Sequence, residues 1–179
     1  MRIIGGKYRG RVLATFEGEA VRPTADRVKE SLFNILANRM YGATVLDLFC
    51  GSGSLGLESL SRGASKVVFN DAAKTSVEIL RKNLKKLGVG EEATVSCRDY
   101  SLCLDFMASP FDLIFLDPPY AIDAGEKALQ KIAQKGLLSK NGIAVYERDR
   151  LFEGEIEGLE VFDSRKYGKT YLTFFRVKE

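Results

Sequence analysis

At 179 residues, 45% of them apolar, the chain has material for one compact domain with an ordinary core and little for a second. Its net charge of +3 is unevenly placed: residues 1–40 carry eight basic and four acidic side chains, so the other 139 sum to −1. The absence of histidine removes the commonest general base and metal ligand, and leaves the chemistry to carboxylates, amides, backbone groups or a cofactor.

No apolar run approaches membrane-spanning length and no signal peptide is recognisable, so no membrane association is expected. Cys50, Cys97 and Cys103 are odd in number and form no C-x-x-C pair. A disulfide framework is therefore not expected, and a reducing cytoplasm is the expected location.

In chain order, residues 1–14 read as a short basic hairpin turning at Gly5-Gly6, with Arg2, Lys7, Arg9 and Arg11 and no acid. Such a segment is either a solvated edge or a phosphate-binding one, since phosphate attraction is local, reaching about 8 Å at physiological salt. Val28, Leu32, Ile35 and Leu36 recur at helical spacing and predict a helix from Thr24, the candidate N-cap, to about Arg39. From Ala43 onward strands and helices alternate. The expected strands are Thr44–Leu48, Lys66–Asn70, Ala93–Cys97, Leu113–Leu116 and Gly142–Glu147. Helices are expected at Ser54–Arg62, Ala73–Leu87, Ser101–Met107 and Gly125–Gln134. This pattern predicts a parallel sheet with helices on both faces. The tail departs from it: Glu160–Lys166 and Thr170–Val177 flank Tyr167-Gly168-Lys169, a hairpin signal that adds antiparallel strands at one edge.

The first strand runs into Asp47-Leu48-Phe49-Cys50-Gly51-Ser52-Gly53-Ser54-Leu55-Gly56, a glycine loop that opens a helix. Glycines let the backbone approach a ligand closely, and the helix N-terminus offers free N–H donors. Gly51, Gly53 and Gly56 also satisfy the dinucleotide G-x-G-x-x-G, with Asp71 twenty residues beyond Gly51, so a nicotinamide enzyme competes. Asp47 separates the two readings. A carboxylate four residues before Gly51 repels a pyrophosphate, whereas it attracts the ammonium and sulfonium of S-adenosylmethionine. Alternatively, Asp47 caps the following helix. Asp71 suits ribose hydroxyls under either cofactor. Asp99, at the end of the third strand, suits an adenine amine or, taken singly, a helix cap; one acid per strand end favours the ligand.

Phe111–Leu116 followed by Asp117-Pro118-Pro119-Tyr120 is an apolar strand ending in two prolines, which fix φ and hold the loop extended. The Asp117 carboxylate and Pro118 carbonyl are both acceptors. Aimed at the hydrogens of an aromatic amine, they favour a pyramidal nitrogen whose lone pair faces a methyl sulfonium. Tyr120 offers a face for stacking an extruded base. The plainer alternative is a strand end with Tyr120 packed in the core.

Together these residues resemble the class I methyltransferases that modify exocyclic amines through (D/N/S)-P-P-(Y/F/W). The opening Met1-Arg2-Ile3-Ile4-Gly5-Gly6-Lys7-Tyr8-Arg9-Gly10-Arg11, then Arg22-Pro23-Thr24, Arg27-Val28-Lys29-Glu30 and Phe33–Leu36, is similar to the RsmD family. So are Val45–Gly63 and Arg165–Gly168 with Thr170. The resemblance implies a Rossmann-like fold with a mostly parallel seven-stranded sheet and a small N-terminal hairpin and helix extension, residues 1–40, ahead of a catalytic domain, 41–179. It implies a 16S rRNA guanine-N2 methyltransferase acting on guanine 966, in rRNA numbering, in the small ribosomal subunit, as a monomer without a metal.

By the same resemblance Asp47, Phe49, Gly51, Ser52 and Gly53 line the methionine end of S-adenosylmethionine, Asp71 meets its ribose and Asp99 its adenine. Asp117, Pro118, Pro119 and Tyr120 hold the target base. Arg22, Thr24, Arg27 and Glu30 lie near the substrate entrance, while Lys7, Arg9 and Arg11 are expected, from their charge, to contact RNA phosphates. Two positions depart from the family pattern: Cys50 replaces a more usual alanine, with a packing role expected, and Asn70-Asp71 replaces an apolar-Glu pair. Adenine-N6 methylation of DNA or RNA uses the same loop, but the chain has no separate target-recognition domain. Protein glutamine methyltransferases resemble this pattern with Asn in place of Asp117. A vestigial RNA-binding module would not need Asp47, Gly51, Gly53 and Asp117 intact.

Overall fold

The computed structural model describes the chain except residues 19–22 and 120–122, and for residues 23 and 24 it describes the backbone alone. Seven strands form one sheet in the order β3-β2-β1-β4-β5-β7-β6. They are β1 (Thr44–Asp47), β2 (Lys66–Asn70), β3 (Ala93–Ser96), β4 (Phe111–Leu116), β5 (Leu138–Arg148), β6 (Leu159–Tyr167) and β7 (Thr170–Val177). The first five pair in parallel, and β7 lies antiparallel between β5 and β6. The expected alternation and terminal hairpin are thus present.

Successive strand residues feed opposite cores, as a pleated strand buried on both faces requires. Val45, Leu113, Phe115 and Val145 join one apolar cluster, whereas Leu46, Ile114, Leu116 and Tyr146 join the other. Helices α1 (Pro23–Ile35), α2 (Ser54–Ser61) and α3 (Lys74–Leu87) cover the first face through Leu32, Leu57 and Leu80. Helices α4 (Tyr100–Phe106) and α5 (Ala124–Lys135) cover the second through Leu104 and Leu129.

Three local expectations are corrected. Helix α1 begins at Pro23, a residue whose fixed φ and missing N–H suit a first helical position, so Thr24 lies within the helix and is not its N-cap. The same helix stops at Ile35, and a short 3-10 turn, Ala37–Arg39, carries the chain on. The N-terminal hairpin is reduced to a single antiparallel bridge, Arg2 with Val12. Its next amides, those of Ile4 and Gly5, donate instead to the Glu58 carboxylate on α2. Ile3 and Leu13 are buried in the same core as Phe33 and Val45.

Candidate active site

The strand order reverses between β1 and β4, where a doubly wound sheet opens a crevice beyond its carboxyl ends. A cavity of about 580 Å³ occupies that crevice. Asp47, Phe49, Gly51, Ser52, Asp71, Asp99, Asp117, Pro118 and Pro119 all line it, so residues scattered over seventy positions of sequence converge there. Four of these are acids, and among the described residues no lysine or arginine joins them.

Each acid has a fixed setting. Asp47, 2% exposed, accepts the Gly56 N–H at 3.0 Å, so it does cap α2 and also faces the cavity. Burial, reinforced by the nearby charges of Asp117 and Asp71, pushes its pKa up to about 7. Asp71 accepts the Gly51 N–H and the Ala73 N–H, each at 2.9 Å, and so ties the glycine loop to the end of β2. Asp99 caps α4 through the Ser101 N–H at 2.9 Å, as its alternative reading had it, while lining the cavity as the ligand reading requires. Asn70, buried beneath Asp71, bonds the backbone of both Leu48 and Arg98 and locks the three strand ends together.

The glycines divide the labour. Gly51 lines the cavity at φ +54°. Gly53 is not among the lining residues; it turns the chain at φ +91°, where a Cβ would lie 2.4 Å from a Leu80 methyl. At Gly56 a Cβ would fall 2.2 Å from the Phe69 ring, so this glycine lets α2 press onto β2. Cys50 is buried in the core, and desolvation raises its thiol pKa, which fits the packing role expected of it.

A second cavity of about 510 Å³ adjoins the first, and Met1, Ser54, Leu55 and Asp117 line both. Its other walls come from Ala25, Val28, Lys29 and Leu32 on α1, Glu147 on β5, and Gly168, Lys169 and Thr170 at the β6–β7 turn. Asp117 thus stands between two chambers. Its carboxyl is open to the cleft but surrounded by protein on its other sides, which raises its pKa. Glu147 is raised as well, by burial and by the Asp117 charge.

The remaining predicted residues lie farther out. Arg27 and Glu30 are exposed, on the face of α1 opposite the cavity-lining residues. Lys7, Arg9 and Arg11 are exposed on the N-terminal loop. That loop docks on α3, where Arg11 donates to the Lys86 carbonyl at 2.9 Å and Asn83 accepts the Ala14 N–H at 2.7 Å. The side chains of Arg22, Thr24 and Tyr120 lie outside the described residues.

The sequence reading missed Phe16 and Tyr100 in the first cavity, Lys29, Glu147 and Lys169 in the second, and the clamp beneath them. Tyr100 lies 5.5 Å from Phe49, ring centre to ring centre. In the clamp, Glu58 is wholly buried. It receives Arg62 Nε at 2.9 Å and lies 3.5 Å from Lys29 Nζ, which donates to the Arg2 carbonyl at 2.7 Å. The available signal for Glu58 was a lone charge in the middle of a short helix otherwise made of leucine, glycine and serine.

A family model described as conserved hypothetical protein 95 matches residues 1–176. A curated relative, ribosomal RNA small subunit methyltransferase D of Haemophilus influenzae, is 41% identical over 84% of this chain and 79% of its own. The protein of the same name from Escherichia coli K12 is 36% identical over 83% of this chain and 75% of its own. The chain belongs to the RsmD family of methyltransferases. Among solved structures, yhhF of Escherichia coli superposes with a TM-score of 0.89 at 28% identity, covering 99% of this chain and 98% of its own. A Thermus thermophilus protein of this fold gives 0.82 at 28% identity and 99% of both chains. The chain thus has the Rossmann-like sheet that the resemblance implied.

Proposed function

We propose that the protein transfers a methyl group from S-adenosylmethionine to the exocyclic N2 of a guanine in 16S rRNA, guanine 966 in rRNA numbering, within the small ribosomal subunit. The observation that carries this reading is the pair of adjoining cavities with Asp117 in both. The first suits a cationic cofactor: four acids and, among the described residues, no lysine or arginine repel a pyrophosphate and attract an ammonium and a sulfonium. Its aromatic residues Phe16, Phe49 and Tyr100 suit an adenosine. When bound, S-adenosylmethionine supplies a methyl group activated by the sulfonium.

The chain's own residues do the rest. Asp47 and the glycine loop hold the methionine end, Asp71 the ribose and Asp99 the adenine edge. At the boundary of the chambers the Asp117 carboxylate and Pro118 carbonyl accept the hydrogens of the target amine and aim its lone pair across the boundary. Pro119 keeps the loop extended and Tyr120 stacks the base. No strong base is needed, because the methylated amine is acidic and loses its proton after attack.

Residues 1–40 serve to dock RNA, with Lys7, Arg9 and Arg11 on phosphates and Arg22, Thr24, Arg27 and Glu30 toward the entrance; residues 41–179 carry the chemistry. The reading takes the enzyme as a cytoplasmic monomer and calls on no metal. The names of the relatives support the rRNA substrate. The test is to incubate unmodified small subunits, free rRNA and DNA with labelled cofactor and map the modified nucleotide. Methyl-guanine at one rRNA position is expected, with Asp117→Ala retaining cofactor binding and losing nearly all transfer. Label on adenine or on DNA, or wild-type turnover by Asp117→Ala, would count against the proposal.

A further inference from the structure

The second cavity holds a carboxyl that the transfer chemistry does not use. Register pairs Leu116 of β4 with Tyr146 of β5, so the residues that follow, Asp117 and Glu147, sit on neighbouring strands at the same level. The next residue, Arg148, is paired with Glu126 at 2.9 Å. The half-buried Glu147 carboxyl, by contrast, makes no hydrogen bond or ion pair among the described residues, and it faces the cavity. Holding an unpartnered acid beside Asp117 is unfavourable, as its raised pKa records, and such a group is compensated when a ligand donates to it.

The ligand chemistry follows from what must lie beside Asp117. If the accepting amine is held by Asp117 and the Pro118 carbonyl, the two ring positions beside it in guanine are N1–H, a donor, and N3, an acceptor, and only the donor suits a neighbouring carboxyl. In adenine presented by its own amine, the adjacent ring nitrogen is a bare acceptor. A carboxyl offers an acceptor oxygen whether ionised or protonated. We propose that Glu147 reads the base: its carboxyl oxygen accepts the N1 hydrogen of guanine and selects that base over purines that lack it. This rests on the guanine-N2 reading above. Two cations also line the cavity among the described residues. Lys29 is committed to the Arg2 carbonyl, Ser54 Oγ and Glu58. Lys169 is exposed on the β6–β7 turn.

The test compares small subunits assembled with guanine or with 2-aminopurine at the methylated position. Both bases carry the 2-amine, but only guanine has the N1 hydrogen and O6, so the Glu147 variants assign the preference to one of them. The wild-type enzyme is expected to prefer guanine by at least about tenfold in kcat/KM, the scale of one lost hydrogen bond in a desolvated site. Glu147→Leu should bring the two within about threefold, chiefly by slowing on guanine, and Glu147→Gln, which keeps an acceptor oxygen, should retain most of the preference. Cofactor affinity confirms that each variant is folded. Equal wild-type rates on the two bases overturn the inference. So does a tenfold preference kept by Glu147→Leu, or a folded Glu147→Gln that behaves like the leucine variant. If Glu147→Leu does not fold, Glu147→Ala takes its place in the same comparison. Absence of any methylation at the guanine 2-amine would instead sink the parent reading, so the two failures are distinct.

Discussion

Both carboxylate oxygens of Glu58 accept the backbone N–H of Ile4, at 3.0 and 3.2 Å. One of them also takes the Gly5 N–H, and Arg62 and Lys29 complete the shell around this fully buried acid. The N-terminal loop is therefore fastened to α2 by charge-assisted bonds out of water's reach. Breaking a buried pair by removing one partner strands the rest. Glu58→Ala is expected to lower unfolding free energy by roughly 3 kcal/mol or more and to open residues 1–14 to proteolysis. Denaturant unfolding and limited digestion check this; a wild-type midpoint would show that the clamp contributes nothing.

Asp47 yields a pH-dependent prediction. Its pKa stands at about 7 in the folded protein against an ordinary 3.8. Between those values the folded state binds a proton that the unfolded chain releases. This contribution to stability therefore falls as pH rises through that window and levels off above it. Asp47→Asn cannot ionise yet keeps an oxygen for the Gly56 N–H. It is expected to match wild type in thermal unfolding near pH 5 and to exceed it near pH 8, by on the order of 2 kcal/mol. Calorimetry should show a loss of S-adenosylmethionine affinity in the same variant. A stabilised variant with undiminished affinity would remove Asp47 from the cofactor site.

For the N-terminal loop, simultaneous neutralisation of Lys7, Arg9 and Arg11 is expected to weaken RNA binding. The slope of log affinity against log salt should flatten by about 2 to 3, as three phosphate contacts require. Binding titrations at several ionic strengths measure it. An unchanged slope would assign these side chains to ordinary solvated surface.

Most of the sheet was legible because strands buried on both faces are short apolar runs set between helix periodicities and turns. Lys66–Asn70 and Thr170–Val177 match their expected bounds to the residue. The early part of β5 was hidden: Leu138 pairs with Phe111, but a register shift before Leu113 and the polar stretch Ser139-Lys140-Asn141-Gly142 mask the strand. The cleft acids were legible because each ends a recognisable strand. Glu147 ends one as well, yet its meaning depends on register with a strand thirty residues earlier, which no local pattern encodes. The N-terminal hairpin failed for a related reason, since its amides satisfy a distant carboxylate rather than an opposing strand.

The antiparallel placement of β7 has a consequence in time. Because β6 ends at the same edge as β1 and β4, the turn at Gly168-Lys169 closes the second cavity from residues made after the rest of it. A growing chain has all four cleft acids by residue 117, but it lacks one wall of the second cavity until about fifty further residues have emerged. The last-made hairpin thus completes the sheet and the second cavity together, so a product of synthesis interrupted before it would lack both.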